Sequence, residues 1–239
     1  MKIALLGYGK MGKEIEAIAL QRGHSIVLKV NSENAKMVTY KELQTADIAI
    51  EFSKPDLAIE NIMRCFALQL PVVVGTTGWY QKLNDVKQLC IQQNQSFLYA
   101  SNFSVGVNLF FELNKKLASL MKNYSEYDIS IQEIHHLQKL DAPSGTAISL
   151  ANDLISNLPN KTKWVNSNSA AKNEIAIESL RLEGISGTHT VKYSSVIDNI
   201  EIKHTAHNRK GFALGAVIAA EWLANKKGFF EMKDVLKIE

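Results

Sequence analysis

The sequence predicts an α/β protein with a parallel sheet in its first half and a mixed, open sheet in its second half. Short apolar runs at residues 2–6, 25–30, 47–52 and 71–74 alternate with helical stretches. Such runs are typical of strands that are buried on both faces of a parallel sheet. From residue 127 onward several strands follow one another with little helix between them. That order indicates a second domain of the α+β kind.

The composition excludes several classes of protein. The chain has 239 residues, of which 46% are hydrophobic, so it can bury the core of one large or two small domains. The net charge of +3 is mild and the lysines are spread along the chain, so no nucleic-acid surface is expected. Cys65 and Cys90 have no Cys-x-x-Cys spacing, which fits a reducing compartment. No apolar run approaches the ~20 residues of a membrane helix, and we expect a cytoplasmic protein without a membrane partner.

The first predicted strand runs directly into a glycine-rich turn, Gly7-Tyr8-Gly9-Lys10-Met11-Gly12, after which a helical pattern begins. A Gly-x-Gly-x-x-Gly turn between a strand and a helix is the fingerprint of dinucleotide binding. The first glycine allows the tight turn, the second lets the backbone approach the pyrophosphate, and the third lets the helix pack closely on the strand. Glycine turns also occur in other α/β proteins, but this position favours a Rossmann-type domain.

The end of the second predicted strand leaves the choice between NADH and NADPH open. An acidic residue here accepts ribose hydroxyls, whereas an arginine tolerates a 2′-phosphate. This sequence has Asn31-Ser32 instead, with Lys29 and Lys36 close by. Because asparagine bonds a hydroxyl without repelling a phosphate, the pattern leans to dual use or NADPH. Residues 33–46 are too short for a comfortable extra helix, and we expect them to cross as a loop.

Two further loops follow strands of the first half. The run at 71–74 ends in Gly75-Thr76-Thr77-Gly78, and a fifth strand at 95–101 leads into Asn102-Phe103. Ligands of parallel sheets bind beyond the carboxyl ends of the strands. The hydroxyls of Thr76 and Thr77 therefore suit a nicotinamide ribose, and the side chain of Asn102 can bond a carboxamide. A tight loop and ordinary core packing of Phe103 are the alternative interpretations.

The second half is predicted, in order, as a helix at 105–121, strands at 127–134, 174–182, 188–195 and 200–206, and a final helix at 211–223. The helix at 105–121 is expected to pack through apolar positions at helical spacing, namely Leu109, Phe110, Leu113, Leu117 and Leu120. Residues 158–173 show no periodicity and are expected to form a loop.

The run at residues 133–147, EIHHLQKLDAPSGTA, combines two histidines, a lysine and an aspartate with a Pro-Ser-Gly-Thr turn. The Lys139 ammonium suits a substrate carboxylate, and either histidine can hold or give a proton near neutral pH. Neighbouring residues of a strand point to opposite faces, so His135 and His136 are expected to have divided roles. The helix start after this turn aims the N–H groups of Gly145 and Thr146 at an anion. A small acidic ligand therefore fits this run.

This run resembles the signature of the dihydrodipicolinate reductase family, that is, the 4-hydroxy-tetrahydrodipicolinate reductases. The segments 7–12, 75–78 and 102–108 resemble the same family in the same order. The resemblance implies a Rossmann-type dinucleotide-binding domain formed by residues 1–103 and 210–239. It also implies a substrate-binding and oligomerisation domain at 104–209, NADPH or NADH as the cofactor, and a homotetramer.

The resemblance further implies a reaction and its residues. Hydride from NAD(P)H reduces a cyclic imine dicarboxylate at position 4 with loss of the 4-hydroxyl as water, which gives tetrahydrodipicolinate on the diaminopimelate route to lysine. His135 is implied as the general acid that protonates the resulting enamine, and Lys139 as a second proton donor and carboxylate partner. The implied substrate-binding residues are His136, Gly145 and Thr146. The implied cofactor contacts lie at the strand ends: Gly7, Tyr8, Gly9, Lys10, Met11, Gly12, Gly75, Thr76, Thr77, Ala100, Ser101, Asn102 and Phe103.

Three alternatives stay open. One is a metal site built from Glu133, His135, His136, His204 and His207, although no His-x-x-x-His spacing supports it and no metal is expected. Another is a non-catalytic nucleotide sensor, which would not need His135 or Lys139. The third is an enzyme that reduces a different imine or amino-acid-derived carbonyl, such as an aspartate dehydrogenase.

Overall fold

The structure is a computed structural model that describes residues 1–238. It divides into two compact units, one formed by Met1–Val105 with Arg209–Glu239 and the other by Gly106–Asn208. The strands are β1 (Lys2–Leu6), β2 (Ser25–Val30), β3 (Ile48–Glu51), β4 (Val72–Val74), β5 (Ser96–Tyr99), β6 (Asp128–His135), β7 (Lys163–Val165), β8 (Glu174–Arg181), β9 (Gly187–Ser194), β10 (Asn199–Ala206) and β11 (Gly228–Phe230). The helices are α1 (Lys10–Gln21), α2 (Tyr40–Leu43), α3 (Pro55–Ala67), α4 (Leu83–Gln92), α5 (Val105–Met121), α6 (Gly145–Asn157), α7 (Lys210–Leu223) and α8 (Met232–Leu236).

The first unit contains a sheet of six parallel strands in the order β2-β1-β3-β4-β5-β11. The chain leaves β1 for β2 on one side and then returns to β3 on the other side, so the strand order reverses between β1 and β3. Every residue of β3, β4 and β5 is buried, which explains their continuous apolar sequences. The predicted Rossmann-type sheet is confirmed. Ligands of such sheets bind where the strand order reverses.

The crossover between β2 and β3 contains a helical turn, so the expectation of a plain loop at residues 33–46 is wrong. Helix α2 spans Tyr40–Leu43. The Thr39 side chain accepts the N–H of Glu42, and the Glu42 carboxylate accepts the N–H of Thr39 at 2.7 Å. This capping box stabilises one turn of helix. A single turn is too short to produce the apolar periodicity on which helix prediction depends.

The second unit contains a five-stranded mixed sheet in the order β10-β9-β6-β8-β7, as expected. The central strand β6 runs parallel to β8 and antiparallel to β9. Burial alternates along β6, because its odd-numbered residues are buried and its even-numbered residues are exposed or half-buried. The buried face packs against α5 and α6 around residues such as Ile131, Tyr193 and Leu154.

Residues 158–173 include the short strand β7, which corrects the expectation of a loop. Strand β7 pairs in parallel with β8, with Trp164 opposite Ile175. The buried Lys161 ammonium donates to the carbonyl oxygens of Lys172 and Glu174 at 2.8 and 3.0 Å. A three-residue edge strand is too short to show alternation in the sequence.

Helix α5 forms as predicted, and its buried face matches the expected one only in part. Phe110 is buried and Leu117 is half-buried, as expected. Leu109, Leu113 and Leu120 are 51–60% exposed. The buried residues of α5 are Val107, Phe110, Asn114, Ala118 and Met121. Asn114 donates to the carbonyl oxygen of Leu150 on α6 at 3.1 Å, so a polar side chain takes part in this packing. No helix within residues 1–238 combines the length and the apolarity needed to cross a bilayer.

Candidate active site

The glycine turn after β1 is held by two close backbone contacts. Gly7 has φ +110°, and a Cβ there would lie 2.1 Å from the carbonyl oxygen of Phe52. A Cβ on Gly12 would lie 2.4 Å from the carbonyl oxygen of Gly7. Both distances are far below van der Waals contact, so only glycine fits at these two positions.

Gly9 differs from the other two glycines because a Cβ built on it meets nothing within 4 Å. It is the N-cap of α1, whose first turn has neither a side-chain cap nor an acidic residue. The N–H groups of a helix start have no acceptor within the helix and attract anions. The space at Gly9 and the open helix start therefore fit the pyrophosphate of a dinucleotide.

A cavity of about 300 Å³ lies within the first unit, at the carboxyl ends of β3, β4 and β5. Its lining residues are Met11, Phe52, Gly75, Ser101, Asn102, Phe103, Arg209 and Phe212. Five of them were expected as cofactor contacts. Phe52, Arg209 and Phe212 were not expected from the sequence. The position of Phe52 directly after β3 was a usable signal, whereas Arg209 and Phe212 lie about one hundred residues further along the chain and carry no motif.

The turn after β4 is fixed by the protein's own groups. The Gly75 N–H donates to the carbonyl oxygen of Glu51 at 2.9 Å. The Thr76 Oγ1 accepts the N–H of Ser53 at 2.8 Å, and the Trp79 indole donates to the carbonyl oxygen of Thr76 at 2.7 Å. Thr76 is buried and Thr77 is exposed. Of the two hydroxyls in this turn, that of Thr77 is therefore the more accessible to a ligand.

The end of β2, where the ribose hydroxyls are read in Rossmann-type domains, carries an ion pair. The Lys29 ammonium lies 2.6 Å from the Glu16 carboxylate, which also accepts the Tyr8 hydroxyl. Hydrogen bonds from Lys29 and Tyr8 lower the pKa of Glu16. The Asn31 Oδ1 accepts the N–H groups of Glu33 and Asn34 at 2.8 and 3.2 Å. The Lys29 charge is thus compensated by Glu16, and the Asn31 carbonyl is occupied by its own turn.

Strand register in the second unit builds a cluster around Glu133. Glu133 pairs with His189 across β6 and β9, and His135 pairs with Arg181 across β6 and β8. Glu133 and His135 are two residues apart, so both project from the same face of β6. Neither His189 nor Arg181 was given a role from sequence, because their proximity depends on the pairing of distant strands.

The Glu133 carboxylate is fully buried and has several partners. Its two oxygens accept the Ser144 N–H at 3.0 and 3.1 Å, and the Arg181 guanidinium lies 3.6 Å away. Burial tends to raise the pKa of Glu133, but hydrogen bonds from His189 and Ser144 outweigh it and lower the pKa to about 2. The carboxylate is therefore ionised at neutral pH.

His135 lies beside this carboxylate and is only 6% exposed. Its Nδ1 is 3.5 Å from the Glu133 Oε2, and its ring centroid is 5.0 Å from that of His189. Burial lowers the pKa of His135 to about 4, and the nearby His189, Lys139 and Arg181 act in the same direction, whereas Glu133 opposes them. The imidazole is therefore neutral at pH 7 in the free protein.

The loop between β6 and α6 is held by Arg181. Its guanidinium donates to the carbonyl oxygens of Lys139 at 3.3 Å and of Asp141 at 2.6 Å. The Lys139 ammonium contacts both carboxylate oxygens of Asp141 at 2.8 and 2.9 Å, and this pairing lowers the pKa of Asp141. His136, half-buried, follows the last residue of β6.

The start of α6 follows this loop. Ser144 is its N-cap, with the Ser144 Oγ accepting the Ala147 N–H at 3.2 Å. Gly145 and Thr146 are the first two residues of the helix, and a Cβ on Gly145 would meet nothing within 4 Å. The amides of this first turn have no acceptor within the helix, which suits the binding of a carboxylate.

The possible metal ligands group differently from the set considered from sequence. In the part of the chain that is described, Glu133, His135 and His189 offer ligand atoms within 4.8 Å of one another. His204 instead packs against Phe110 with ring centroids 6.1 Å apart. The carboxylate of the cluster already accepts the Ser144 N–H through both oxygens. The cluster thus places two imidazoles beside a carboxylate that is already hydrogen-bonded.

This architecture defines a protein with a Rossmann-type domain of the dinucleotide-binding kind and a second α+β domain. The comparison with known families is consistent with that class. Residues 1–103 match the family described as Dihydrodipicolinate reductase, N-terminus, and residues 106–236 match Dihydrodipicolinate reductase, C-terminus. The chain belongs to the dihydrodipicolinate reductase family.

Individual relatives agree with this assignment. The chain is 51% identical over 238 residues to the 4-hydroxy-tetrahydrodipicolinate reductase of Christiangramia forsetii, with 99% of this chain and 98% of the relative covered. It is 35% identical over 239 residues to the enzyme of the same name from Thermosipho africanus, with the same shares covered. A dipicolinate-bound dihydrodipicolinate reductase from Paenisporosarcina sp. TG-14 has the same fold, with a TM-score of 0.78, 23% identity and 98% of each chain covered.

Proposed function

We propose that this chain catalyses the NAD(P)H-dependent reduction of 4-hydroxy-tetrahydrodipicolinate to tetrahydrodipicolinate on the diaminopimelate route to lysine. The observation that carries the proposal is the 51% identity to a reductase of that name across 99% of the chain. The described residues are compatible with it, since the first unit offers a nucleotide site and the second offers an acid–base cluster beside a helix start.

The cofactor would be held by the first unit. The amides at Gly9 and the start of α1 would bind the pyrophosphate. The cavity lined by Met11, Phe52 and Asn102 would take the nicotinamide, and Arg209 would add a positive charge at its rim. When bound, NADH or NADPH supplies the hydride that reduces the substrate. The fit rests on the open space at Gly9 and on the volume of the cavity.

The substrate would be bound by the loop and helix start of the second unit. A ring that carries two carboxylates needs cationic and amide donors on both sides. Lys139 and His136 would face one carboxylate, and the amides of Gly145 and Thr146 would bind the other. The dipicolinate-bound relative supports a planar dicarboxylate as the ligand class.

His135 would donate the proton. Loss of water, made of the 4-hydroxyl and a hydrogen of the neighbouring carbon on the imine side, would give a conjugated imine. Hydride would then add at position 4 and leave an enamine, whose electron-rich carbon, next to position 4, takes a proton from the His135 Nε2. The donor must be charged at that moment, although burial holds its pKa at about 4 in the free protein. A substrate carboxylate beside the ring favours the charged imidazolium and raises the pKa of His135. Substrate binding and protonation of His135 would therefore be coupled.

The direct test is spectrophotometric. Freshly prepared 4-hydroxy-tetrahydrodipicolinate is added to the purified protein, and the oxidation of NADH and of NADPH is followed by the loss of absorbance of the reduced nicotinamide. Turnover of this substrate, with none of oxaloacetate plus ammonia, supports the proposal. Turnover of oxaloacetate plus ammonia alone would identify an aspartate dehydrogenase activity instead.

Lys139→Ala is expected to weaken dicarboxylate binding roughly 10- to 100-fold and to slow turnover, because a hydrogen bond to a charged group contributes about 1.5–3 kcal/mol. Binding of NADPH is expected to stay nearly unchanged. Isothermal titration with pyridine-2,6-dicarboxylate and with NADPH measures both quantities. Lys163→Ala, which removes an exposed lysine of β7, is the matched control. A crystal of the dicarboxylate complex in which Lys139 points to solvent would contradict this role.

The two nucleotides are expected to differ in kcat/KM by less than about a hundredfold, which is the discrimination that one polar contact permits. The reason lies at the end of β2, where the Lys29 charge is compensated by Glu16 and position 31 carries no charge. Steady-state kinetics with each nucleotide at a fixed substrate concentration measures the ratio. A larger ratio would mean that other residues read the 2′ position.

We further propose a cytoplasmic homotetramer. The two cysteines are free and buried, in keeping with a reducing compartment. The half-exposed face of the five-stranded sheet offers a surface for self-association. Light scattering coupled to gel filtration is expected to give about four times the chain mass of 26.6 kDa. A mass near 26.6 kDa would exclude the tetramer.

A further inference from the structure

The Glu133 carboxylate is held by contacts from three other residues. Both of its oxygens accept the Ser144 N–H, at 3.0 and 3.1 Å, so the carboxylate cannot rotate freely. The Arg181 guanidinium approaches Oε1 at 3.6 Å, while the His189 Nε2 approaches Oε2 at 3.6 Å. The His189 Nε2 is itself hydrogen-bonded to the Ser144 Oγ at 3.1 Å. These contacts hold a buried anion in one orientation.

A histidine nitrogen lies near Oε2 of this anion. The His135 Nδ1 is 3.5 Å from it, is buried, and has no hydrogen-bond partner among residues 1–238. A nitrogen lone pair directed at an ionised oxygen is repelled, whereas an N–H directed at it is attracted. Glu133 therefore favours the neutral tautomer of His135 that carries its proton on Nδ1.

The opposite edge of the same ring is left accessible by a glycine. A Cβ on Gly187 would lie 3.3 Å from both the Cδ2 and the Nε2 of His135. A larger residue would crowd the nitrogen that exchanges the proton. The two ring nitrogens of His135 therefore have different surroundings. Nδ1 lies near the Glu133 carboxylate, and Nε2 lies beside Gly187, which has no side chain.

We propose that Glu133 is a positioning residue that keeps the proton of neutral His135 on Nδ1 and so assigns proton transfer to Nε2. The inference rests on the proposed function, in which His135 is the acid. In the transfer, the Nε2–H bond of the imidazolium breaks, a C–H bond forms on the substrate enamine, and the ring is left neutral with its proton on Nδ1. Glu133 stays ionised throughout, and solvent restores the Nε2 proton before the next turnover.

The charged and titratable groups that influence His135 come from three strands and one loop. Glu133 lies on the same strand, His189 on β9, Arg181 at the end of β8, and Lys139 in the loop that follows β6. Three of them are cationic or can become so, and Glu133 alone is anionic. Removing its charge would leave the bound substrate carboxylate as the one group of this proposal that favours the imidazolium, so catalysis should depend strongly on Glu133.

The first test needs no variant of Glu133. Magic-angle-spinning NMR of sedimented protein labelled with ¹⁵N-histidine reports which ring nitrogen carries the proton, and His135→Asn assigns the signal. At pH 7 the wild-type His135 is expected to be neutral with the proton on Nδ1. A neutral ring with the proton on Nε2 would overturn the proposal, whether or not the protein turns over the proposed substrate.

The second test is Glu133→Gln, which keeps the shape and removes the charge. We expect kcat to fall at least about 100-fold, in the range of a general-acid contribution, with the KM for NADPH unchanged and the Nδ1 preference reduced in the NMR spectrum. Glu178→Gln, on the neighbouring strand β8, is the matched control. If the wild type turns over the substrate and the kcat of Glu133→Gln is within threefold of the wild-type kcat, the positioning role is overturned and the proposed function stands. A wild-type protein that is inactive, yet shows the Nδ1 proton, would overturn the function alone.

Discussion

His135→Gln is expected to lower kcat by roughly 10²- to 10⁴-fold, the usual contribution of a positioned general acid. The imidazole is 6% exposed and lies in a cluster of ionisable side chains, where glutamine can fill the space but cannot deliver a proton. Binding of NADPH should be unchanged, since every lining residue of the nucleotide cavity belongs to the other unit. Steady-state kinetics and a fluorescence titration of NADPH measure the two quantities.

His207→Gln is the matched control for this variant, because His207 is exposed and its side chain takes no part in the cluster. It should keep the activity of the wild type. If His135→Gln also kept full activity, the proton would have to come from another group. If the wild type and the His135→Gln variant both bound nucleotide and neither turned over the substrate, the protein would instead fit a nucleotide sensor.

The glycine turn gives the second large effect, and two of its glycines separate binding from folding. Gly9→Ala is expected to weaken binding of both nucleotides roughly 10- to 100-fold. The reason is the loss of one charge-assisted hydrogen bond, which contributes about 1.5–3 kcal/mol. A Cβ there meets no protein atom within 4 Å and would occupy the space of the pyrophosphate. The melting temperature should therefore change little. Titration calorimetry with NADH and NADPH, together with a thermal melt, measures both.

Gly7→Ala is the contrasting variant in the same turn. Its residue has φ +110°, and a Cβ would lie 2.1 Å from the carbonyl oxygen of Phe52. A strained backbone and a clash with main chain together cost about 3 kcal/mol or more, so the melting temperature should fall by roughly 6 °C or more. Equal losses of stability in both variants would mean that Gly9 is a structural position and not a binding one.

The parts of the candidate site that are formed by residues consecutive in the chain could be predicted from the sequence. The glycine turn and the loop after β4 follow their strands directly, so local patterns and the rule for strand ends were sufficient. The same holds for the start of α6, where Ser144, Gly145 and Thr146 are consecutive. The cofactor residues among them remain a proposal, but the structure does bring Met11, Gly75 and Asn102 to one cavity.

The parts that sequence could not predict depend on strand pairing and on which face is buried. His189 meets Glu133 because β9 pairs with β6 in one register, and a shift of one residue would turn its side chain to the other face. Arg209 joins the cavity only because the chain returns to the first unit after the second is complete. On α5, apolarity favoured Leu109 and Leu113, yet the buried face includes the polar Asn114.

Isotope transfer tests whether this protein reduces its substrate with hydride from a nicotinamide and a separate proton that His135 relays from solvent. Reduction of 4-hydroxy-tetrahydrodipicolinate is run with NADPH that carries deuterium on the transferring face of nicotinamide carbon 4, and the product is analysed by NMR and mass spectrometry. We expect one deuterium, at ring position 4 of tetrahydrodipicolinate, and hydrogen from water at the neighbouring carbon. Product without deuterium, or deuterium released to solvent, would contradict it.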